Sequence, residues 1–200
     1  LVSFAALTLP IGLRSTTQAL DIGGVAQITL QAPRDISYVS DISTEEARKG
    51  AESAVQLVYT VPDPAVARQQ IERLNTAMQY ITSVRDTPDV TNDERKANLV
   101  ALSDVRLKLE TIDYVLAMSA SRWETVQAES LRVLEQIMRR AIYEDKVEAT
   151  QAGISSSVSL TLNEQQSALV AELVTAFIVP NSFYSEELTT AARAAAHDAV

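Results

Sequence analysis

Hydrophobic positions along the chain change their period once. Between residues 22 and 32 (IGGVAQITLQA), Ala26, Ile28 and Leu30 alternate with Val25, Gln27, Thr29 and Gln31. That two-residue period predicts a half-buried strand, started by Gly23-Gly24 and stopped by Pro33. Beyond it, apolar residues recur every three or four positions, and helix-start signals separate the runs. Ser43-Thr44-Glu45-Glu46 predicts a capping box, in which the serine bonds forward and Glu46 bonds back. A face of Ala47, Ala51, Ala54, Val55 and Val58 follows it. Pro62-Asp63-Pro64 breaks the chain and restarts it, with Asp63 as N-cap and Pro64 in the first helical position. Val66, Ile71, Leu74, Met78 and Ile81 then form a stripe that ends near Val84, before Thr87-Pro88.

Thr91-Asn92-Asp93-Glu94 predicts a second capping box and a short helix through Leu102. Ser103 or Asp104 is expected to cap the next helix, with Leu109, Ile112, Val115 and Leu116 facing inward. Ser121 and Glu124 predict a third box, ahead of a long helix whose face carries Val126, Leu131, Leu134, Ile137, Met138 and Ala141. Residues 152–162 (AGISSSVSLTL) read as a loop or a short strand, because Val158, Leu160 and Leu162 alternate. Asn163 caps a helix that turns Leu169, Val170, Leu173, Val174 and Phe177 inward; Pro180-Asn181 ends it, and a last helix starts near Ser185. The expected fold is mainly α: a multi-helix domain with a short β element near the N-terminus and a second candidate near residues 155–162.

The first 13 residues (LVSFAALTLPIGL) are almost wholly apolar and precede Arg14. A helix needs about 20 residues to span a bilayer, and no basic segment marks a signal peptide. Two readings stand: a strand or helix of the core, or the outer end of a transmembrane helix. Residues 1–21 are accordingly set apart as a candidate membrane-proximal segment of an otherwise single domain.

Composition narrows the function classes. A hydrophobic content of 46% with 22% charged residues and few glycines and prolines describes a folded chain rather than a disordered one. A net charge of −9 leaves no basic face to neutralise phosphates, so nucleic-acid binding and anionic membrane surfaces are disfavoured. The absence of cysteine removes disulfides, thiolate nucleophiles and zinc-thiolate sites together.

Catalytic motifs fare no better. His197-Asp198 spells an HD dipeptide, but His197 is the only histidine and a metal site needs several converging ligands. No G-x-S-x-G elbow, P-loop or G-x-G-x-x-G is present. Glu45-Glu46, Asp93-Glu94 and Glu186-Glu187 stand at helix starts, where the helix dipole accounts for them. Glu144, Asp145 and Glu148 lack the alternating pattern and central glycine of a calcium loop. Trp123 is expected to pack against a neighbouring helix. No catalytic, metal or cofactor site is expected.

One internal echo stands out. Thr44, Arg48, Ala51 and Val55 have the spacing T-x3-R-x2-A-x3-V, and Thr189, Arg193, Ala196 and Val200 repeat it. Each is preceded by a proline and a tyrosine, Pro33 and Tyr38 or Pro180 and Tyr184. Two amphipathic helices can match this way by chance; a duplicated loop-helix unit would instead leave Arg48 and Arg193 partly buried and bonded to their preceding turns. Tyr38, Arg48, Tyr184 and Arg193 are the candidate ligand-binding residues.

The same stretches resemble the outward-facing domain of the seven-transmembrane HD receptor family of bacteria. In IGGVAQITLQAPRDISYVSDISTEEARKGAESAVQLVYTVPDPAV, residues 22–66, a glycine, a strand, an Ala-Pro-x-Asp turn, a tyrosine, the T-x3-R-x2-A-x3-V helix and a Val-Tyr-x-x-x-Asp tail follow the family's order. FIVPNSFYSEELTTAARAAAHDAV, residues 177–200, resembles its Pro-Asn-x-x-Tyr turn and closing helix. The resemblance implies a transmembrane helix before this domain, and seven membrane helices with a cytoplasmic HD phosphohydrolase domain, which hydrolyses cyclic di-AMP in characterised members, after it. It also implies that the domain continues past Val200, into a segment that could pair with the strand at residues 25–31. The expected function is a non-catalytic sensory domain, tethered to the bacterial cytoplasmic membrane on its outer side, whose partner is an extracellular ligand or an envelope protein. The rival expectation is a helical interaction or dimerisation module of the envelope, without a small-molecule ligand.

Overall fold

The computed structural model describes residues 37–200. The strand expected at residues 22–32 and the apolar segment at 1–13 lie outside the described residues. The chain divides into two compact units, Leu1–Thr44 and Glu45–Val200. Eight α-helices are present among the described residues: α1 (Asp41–Ala54), α2 (Pro64–Asp86), α3 (Asn92–Val100), α4 (Leu109–Ala117), α5 (Ala120–Met138), α6 (Val147–Ala152), α7 (Glu164–Thr175) and α8 (Glu186–Asp198). The fold is mainly α.

Local chemistry accounts for most of these boundaries. The Asp63 carboxylate accepts from the Ala65 amide at 2.7 Å, and Pro64 opens α2 without wasting a donor. Thr91 and Glu94 form the reciprocal box at the start of α3, and Asn163 and Gln166 form another at α7. Backbone and side-chain bonds from Thr91 hold the Glu94 carboxyl below the ordinary range. Between α2 and α3 the chain turns through Asp89 at φ 60°, a left-handed conformation that aspartate tolerates better than most residues.

Three starts differ from the sequence pattern. Helix α1 begins at Asp41, where the Ser40 hydroxyl accepts from the Ser43 amide at 3.2 Å, so Ser43 to Glu46 lie inside the first turns. Helix α5 is capped by Ser119, not Ser121, because Ser119 reaches the Arg122 amide. Helix α4 follows Lys108 without a side-chain cap; Asp104 pairs with Arg73 instead, at 3.0 Å, and Leu109 is exposed. In each case another hydroxyl or cation competed for the same group, and short-range spacing does not resolve that competition.

The core of the larger unit forms around α5. It packs against α7 and α2, while α3 and α4 close the remaining side. Leu74, Met78 and Ile81 of α2 meet Val126, Val133 and Leu134 of α5 and Leu169, Leu173 and Phe177 from the α7 region in one apolar cluster. Each such side chain, fully buried, contributes about 1.5–3 kcal/mol from area removed from water. The residues predicted to face inward are buried along α2, α5 and α7, except that Val66, Ile71 and Leu131 are half-buried and Ala141 is exposed.

The second β candidate, near residues 155–162, is not a strand. A 3-10 turn, Ile154–Ser157, buries Ile154 and places Val158 inward one turn later, leaving Leu160 fully exposed. Ser159 and Thr161 bond to each other at 2.9 Å, and the Ser159 amide donates to Glu129 at 2.7 Å. The Ser159 amide is thus taken by Glu129 and the Thr161 amide by the Ser159 hydroxyl at 3.3 Å, donors that a strand ladder would need. Extended pairing occurs elsewhere. Helix α1 stops at Ala54, short of Val55 and Val58, and the following segment runs antiparallel to residues 181–185 with a bridge at Tyr59 and Tyr184. Tyr59, Thr60 and Val61 are β-formers, and a partner segment is at hand.

Asn181 fixes that partner segment. Fully buried, its Oδ1 accepts from the Ile142 amide at 2.8 Å, and its Nδ2 donates to the carbonyls of Met138 and Arg140 at 2.8 and 3.0 Å. Its own amide donates to the Ile142 carbonyl at 3.0 Å. The side chain thereby caps the end of α5 with groups from 40 or so positions away in sequence.

Two outcomes check this account. Asn181→Ala leaves several buried backbone groups unpaired and should lower unfolding stability by about 2–4 kcal/mol in urea titration. Glu129, largely buried, carries a carboxyl lowered first by its hydrogen bond to Arg132 and further by the Ser159 amide, against the opposing effect of burial. A carboxylate lowered in the folded state stabilises above its unfolded pKa and loses that contribution as pH falls through the folded value. Glu129→Gln should therefore destabilise by about 1–2 kcal/mol at neutral pH, with the difference shrinking in acid.

Candidate functional site

Clefts open on the surface of the larger unit among the described residues. One, about 390 Å³, is lined by Tyr59, Glu144, Asp145, Ser182, Phe183 and Tyr184. It is assembled from three separate stretches of chain. The extended segment after α1 supplies Tyr59, the 3-10 turn Glu144–Lys146 supplies the two carboxylates, and the loop before α8 supplies the rest.

The frame of this cleft is a set of bonds between the two extended segments. The Thr60 amide donates to the Phe183 carbonyl at 2.8 Å, and the Ser185 amide to the Val58 carbonyl at 2.9 Å. The Ser182 hydroxyl donates to the Thr60 carbonyl at 2.6 Å, and the Phe183 amide donates to the Thr60 hydroxyl at 3.0 Å. Farther along, the Asp63 amide donates to the Asn181 carbonyl at 2.8 Å. Buried Thr189 closes the other end: its hydroxyl accepts from the Val58 amide at 3.0 Å and donates to the Ser185 carbonyl at 2.8 Å.

Aromatic rings gather on this frame. Tyr59 and Tyr143 have centroids 4.4 Å apart with planes tilted by 42°, and Tyr59 and Tyr184 meet edge to face at 6.2 Å. Phe183 and Tyr184 are each about half exposed, 52% and 48%. Their exposed ring area faces solvent beside the Glu144 and Asp145 carboxylates that line the same cleft.

A second cleft, about 290 Å³, lies between α2 and α5 and includes Thr82, Arg85 and Trp123. Its polar groups are only partly paired, and the Nε and Nη1 of Arg85 are buried without a hydrogen-bond partner among the described residues. Trp123 is buried, as expected for a packing residue, and its indole donates to the Thr82 hydroxyl at 2.8 Å, as does the Gln127 amide at 3.2 Å. The Arg85 guanidinium lies 5.4 Å from the Trp123 ring and donates to the Met118 carbonyl. Burial lowers the Arg85 pKa, partly offset by Asp86. A third cleft, about 170 Å³, is crossed by the Lys108–Glu172 ion pair at 3.3 Å.

Of the four candidate residues from sequence, Tyr184 lines the 390 Å³ cleft. Arg48 is half-buried, with its Nε enclosed and no hydrogen bond among the described residues. Arg193 is exposed, without a hydrogen bond or ion pair among the described residues. Tyr38, in the smaller unit, is 80% exposed. Arg193 therefore does not tie down its preceding turn by a hydrogen bond, and the turn before Arg48 lies largely outside the described residues. What the echoed helices share lies four residues before the threonine of the pattern: Ser40 and Ser185 each accept, through the hydroxyl, from the amide three residues on and, through the carbonyl, from the amide of Thr44 or Thr189. His197 sits in the last turn of α8, its Nδ1 3.2 Å from its neighbour Asp198. Among the described residues no group of three or more histidines and acids comes close enough together to hold a metal.

A family model described as 7TM-HD extracellular matches residues 21–200, nine-tenths of the chain. The chain belongs to the 7TM-HD extracellular family. No curated protein and no solved structure matches it. As a 7TM-HD extracellular domain it is an outward-facing, receptor-type module. No helix among the described residues is long and apolar enough to cross a membrane.

Tyr143 and Phe183 escaped the sequence reading, which weighed Glu144 and Asp145 only as a calcium loop and Tyr59 only as part of a family motif, since these residues converge from positions up to 124 residues apart. A signal was available: three of the six tyrosines flank turns or helix ends that the capping pattern marks. The frame and the rings should respond differently to substitution. Thr189→Val strands the Val58 amide and should cost about 1–2 kcal/mol. Tyr184→Ala, at a half-exposed position, should cost under about 1 kcal/mol, as measured by urea unfolding of both variants.

Proposed function

We propose that this chain is the non-catalytic, ligand-sensing extracellular domain of a bacterial membrane receptor, and that it regulates a cytoplasmic HD-type cyclic-dinucleotide phosphodiesterase. The observation that carries the reading is the family match across residues 21–200. The open cleft at Tyr59 and Tyr184 supports it, because an aromatic-lined concavity with a few polar groups is the usual form of a small-molecule site. A ligand that binds one conformation of the domain better than another biases the membrane helices by that difference in affinity. The proposed cyclic di-AMP chemistry belongs to the cytoplasmic domain, not to the residues of this chain.

A second reading has an observation of its own. Leu57, Val61, Phe183 and Leu188 are large, apolar and exposed in the neighbourhood of the paired segments. Exposed apolar side chains suit a contact with another envelope protein or with a second copy.

Membranes carrying the intact receptor test the first reading. Cyclic di-AMP hydrolysis should change several-fold when this domain is excised and the membrane and cytoplasmic parts are kept. The purified domain alone should hydrolyse no cyclic dinucleotide, with or without manganese. An unchanged rate after excision rejects the regulatory role, and metal-dependent turnover by the domain rejects the non-catalytic one.

A further inference from the structure

We propose that the cleft between the paired segments binds a small organic cation, an alkyl or quaternary ammonium ion held by tyrosine and phenylalanine faces and by the Glu144 and Asp145 carboxylates. This names the ligand class for the sensory reading above and rests on that reading for its biological use.

Shape comes first. A volume of about 390 Å³ is large enough for a choline-sized or diamine-sized ligand and too small for a folded partner. The lining is of two kinds only. Tyr59, Phe183 and Tyr184 offer aromatic surface, and Glu144 and Asp145 offer negative charge. Aromatic faces attract cations through the ring quadrupole, and ammonium ions are recognised in this way when carboxylates complete the enclosure.

Charge points the same way. Glu144 forms no ion pair among the described residues, and Asp145 pairs only with its exposed neighbour Lys146, at 3.2 Å. An exposed pair of that kind is weak and screened, so a cation bound in the cleft can displace it. No lysine, arginine or histidine lines the cleft. The chain as a whole carries −9, which raises the local concentration of cations around it. Anionic ligands are disfavoured on both counts.

Rigidity makes the site usable. Asn181 and Thr189 anchor the loop carrying Phe183 and Tyr184, and Thr60 ties the segment carrying Tyr59 to it. The backbone carrying the rings is therefore fixed before a ligand arrives, which reduces the ordering cost of binding to that of the side chains.

The test is a titration of the 200-residue chain followed by NMR and by tyrosine fluorescence, with choline and putrescine as cations. The neutral isostere of choline, 3,3-dimethylbutan-1-ol, is the control for shape without charge. Choline or putrescine should bind at least about tenfold more tightly than the neutral isostere, the discrimination expected of a cation–aromatic contact backed by carboxylates. Tyr184→Ala and the double variant Glu144→Gln, Asp145→Asn should each weaken binding by a similar factor, while Tyr184→Phe retains it. Circular dichroism and unfolding of each variant separate lost binding from lost fold, and the double variant at exposed positions keeps the test alive should Tyr184→Ala unfold. Phosphatidylcholine vesicles, run beside free choline, tell a lipid headgroup from a soluble cation; either supports the site.

Equal binding of the neutral isostere, or no binding of either cation by the folded domain, overturns the proposal and leaves the sensory reading standing. Cation binding with no effect on the intact receptor's phosphodiesterase rate overturns the sensory reading and leaves the site standing.

Discussion

The larger unit depends on one buried amide. Asn181 donates to two carbonyls at the end of α5 and accepts the amide of Ile142, while its own main chain pairs with Ile142 on one side and Asp63 on the other. A helix of 19 residues ends with unpaired carbonyls, and burying that end without partners would cost several kcal/mol, on the order of a few hydrogen bonds. The asparagine supplies those partners from a distant part of the chain. In doing so it places residues 182–185 where they meet residues 58–60, and the cleft follows from that meeting.

Stability and recognition are therefore divided between neighbouring residues of one loop. Asn181 and Ser182 are buried and hydrogen-bonded; Phe183 and Tyr184, immediately after, are half exposed. The switch falls between residues 182 and 183, two buried positions followed by two exposed ones, so the loop anchors with its first half and presents its second. The helical core beneath carries most of the apolar burial, and its well-packed α2, α5 and α7 provide a stiff support for the cleft. A receptor module needs this combination: a rigid support and a surface group whose contacts change on binding.

The internal echo illustrates how far local pattern carries meaning. Spacing drew attention to threonine, arginine, alanine and valine, and singled out the two arginines as the structural ties. In the structure the serine cap is what the helices hold in common, because Ser40 and Ser185 bond to the first-turn amides of their own helices. Thr189 gains a further role by receiving the Val58 amide, 131 residues away. Arg193 stays in solvent, where its charge incurs no desolvation penalty.

Sequence alone determined what depends on neighbours within a turn or two: the mainly α class, the caps at Asp63, Thr91 and Asn163, and the inward stripes of α2, α5 and α7. These follow because capping and 3.6-residue periodicity act over three or four positions. It mistook the region near Val158 for a strand candidate, since alternation of three apolar residues does not reveal whether a partner segment exists. Tertiary structure decided the rest. Which hydroxyl caps α5, where α1 stops, and that Tyr59, Glu144 and Tyr184 share one cleft all depend on groups far apart in the chain competing for the same hydrogen bonds and the same space. No local pattern records the outcome of that competition, because it is settled only when the segments meet.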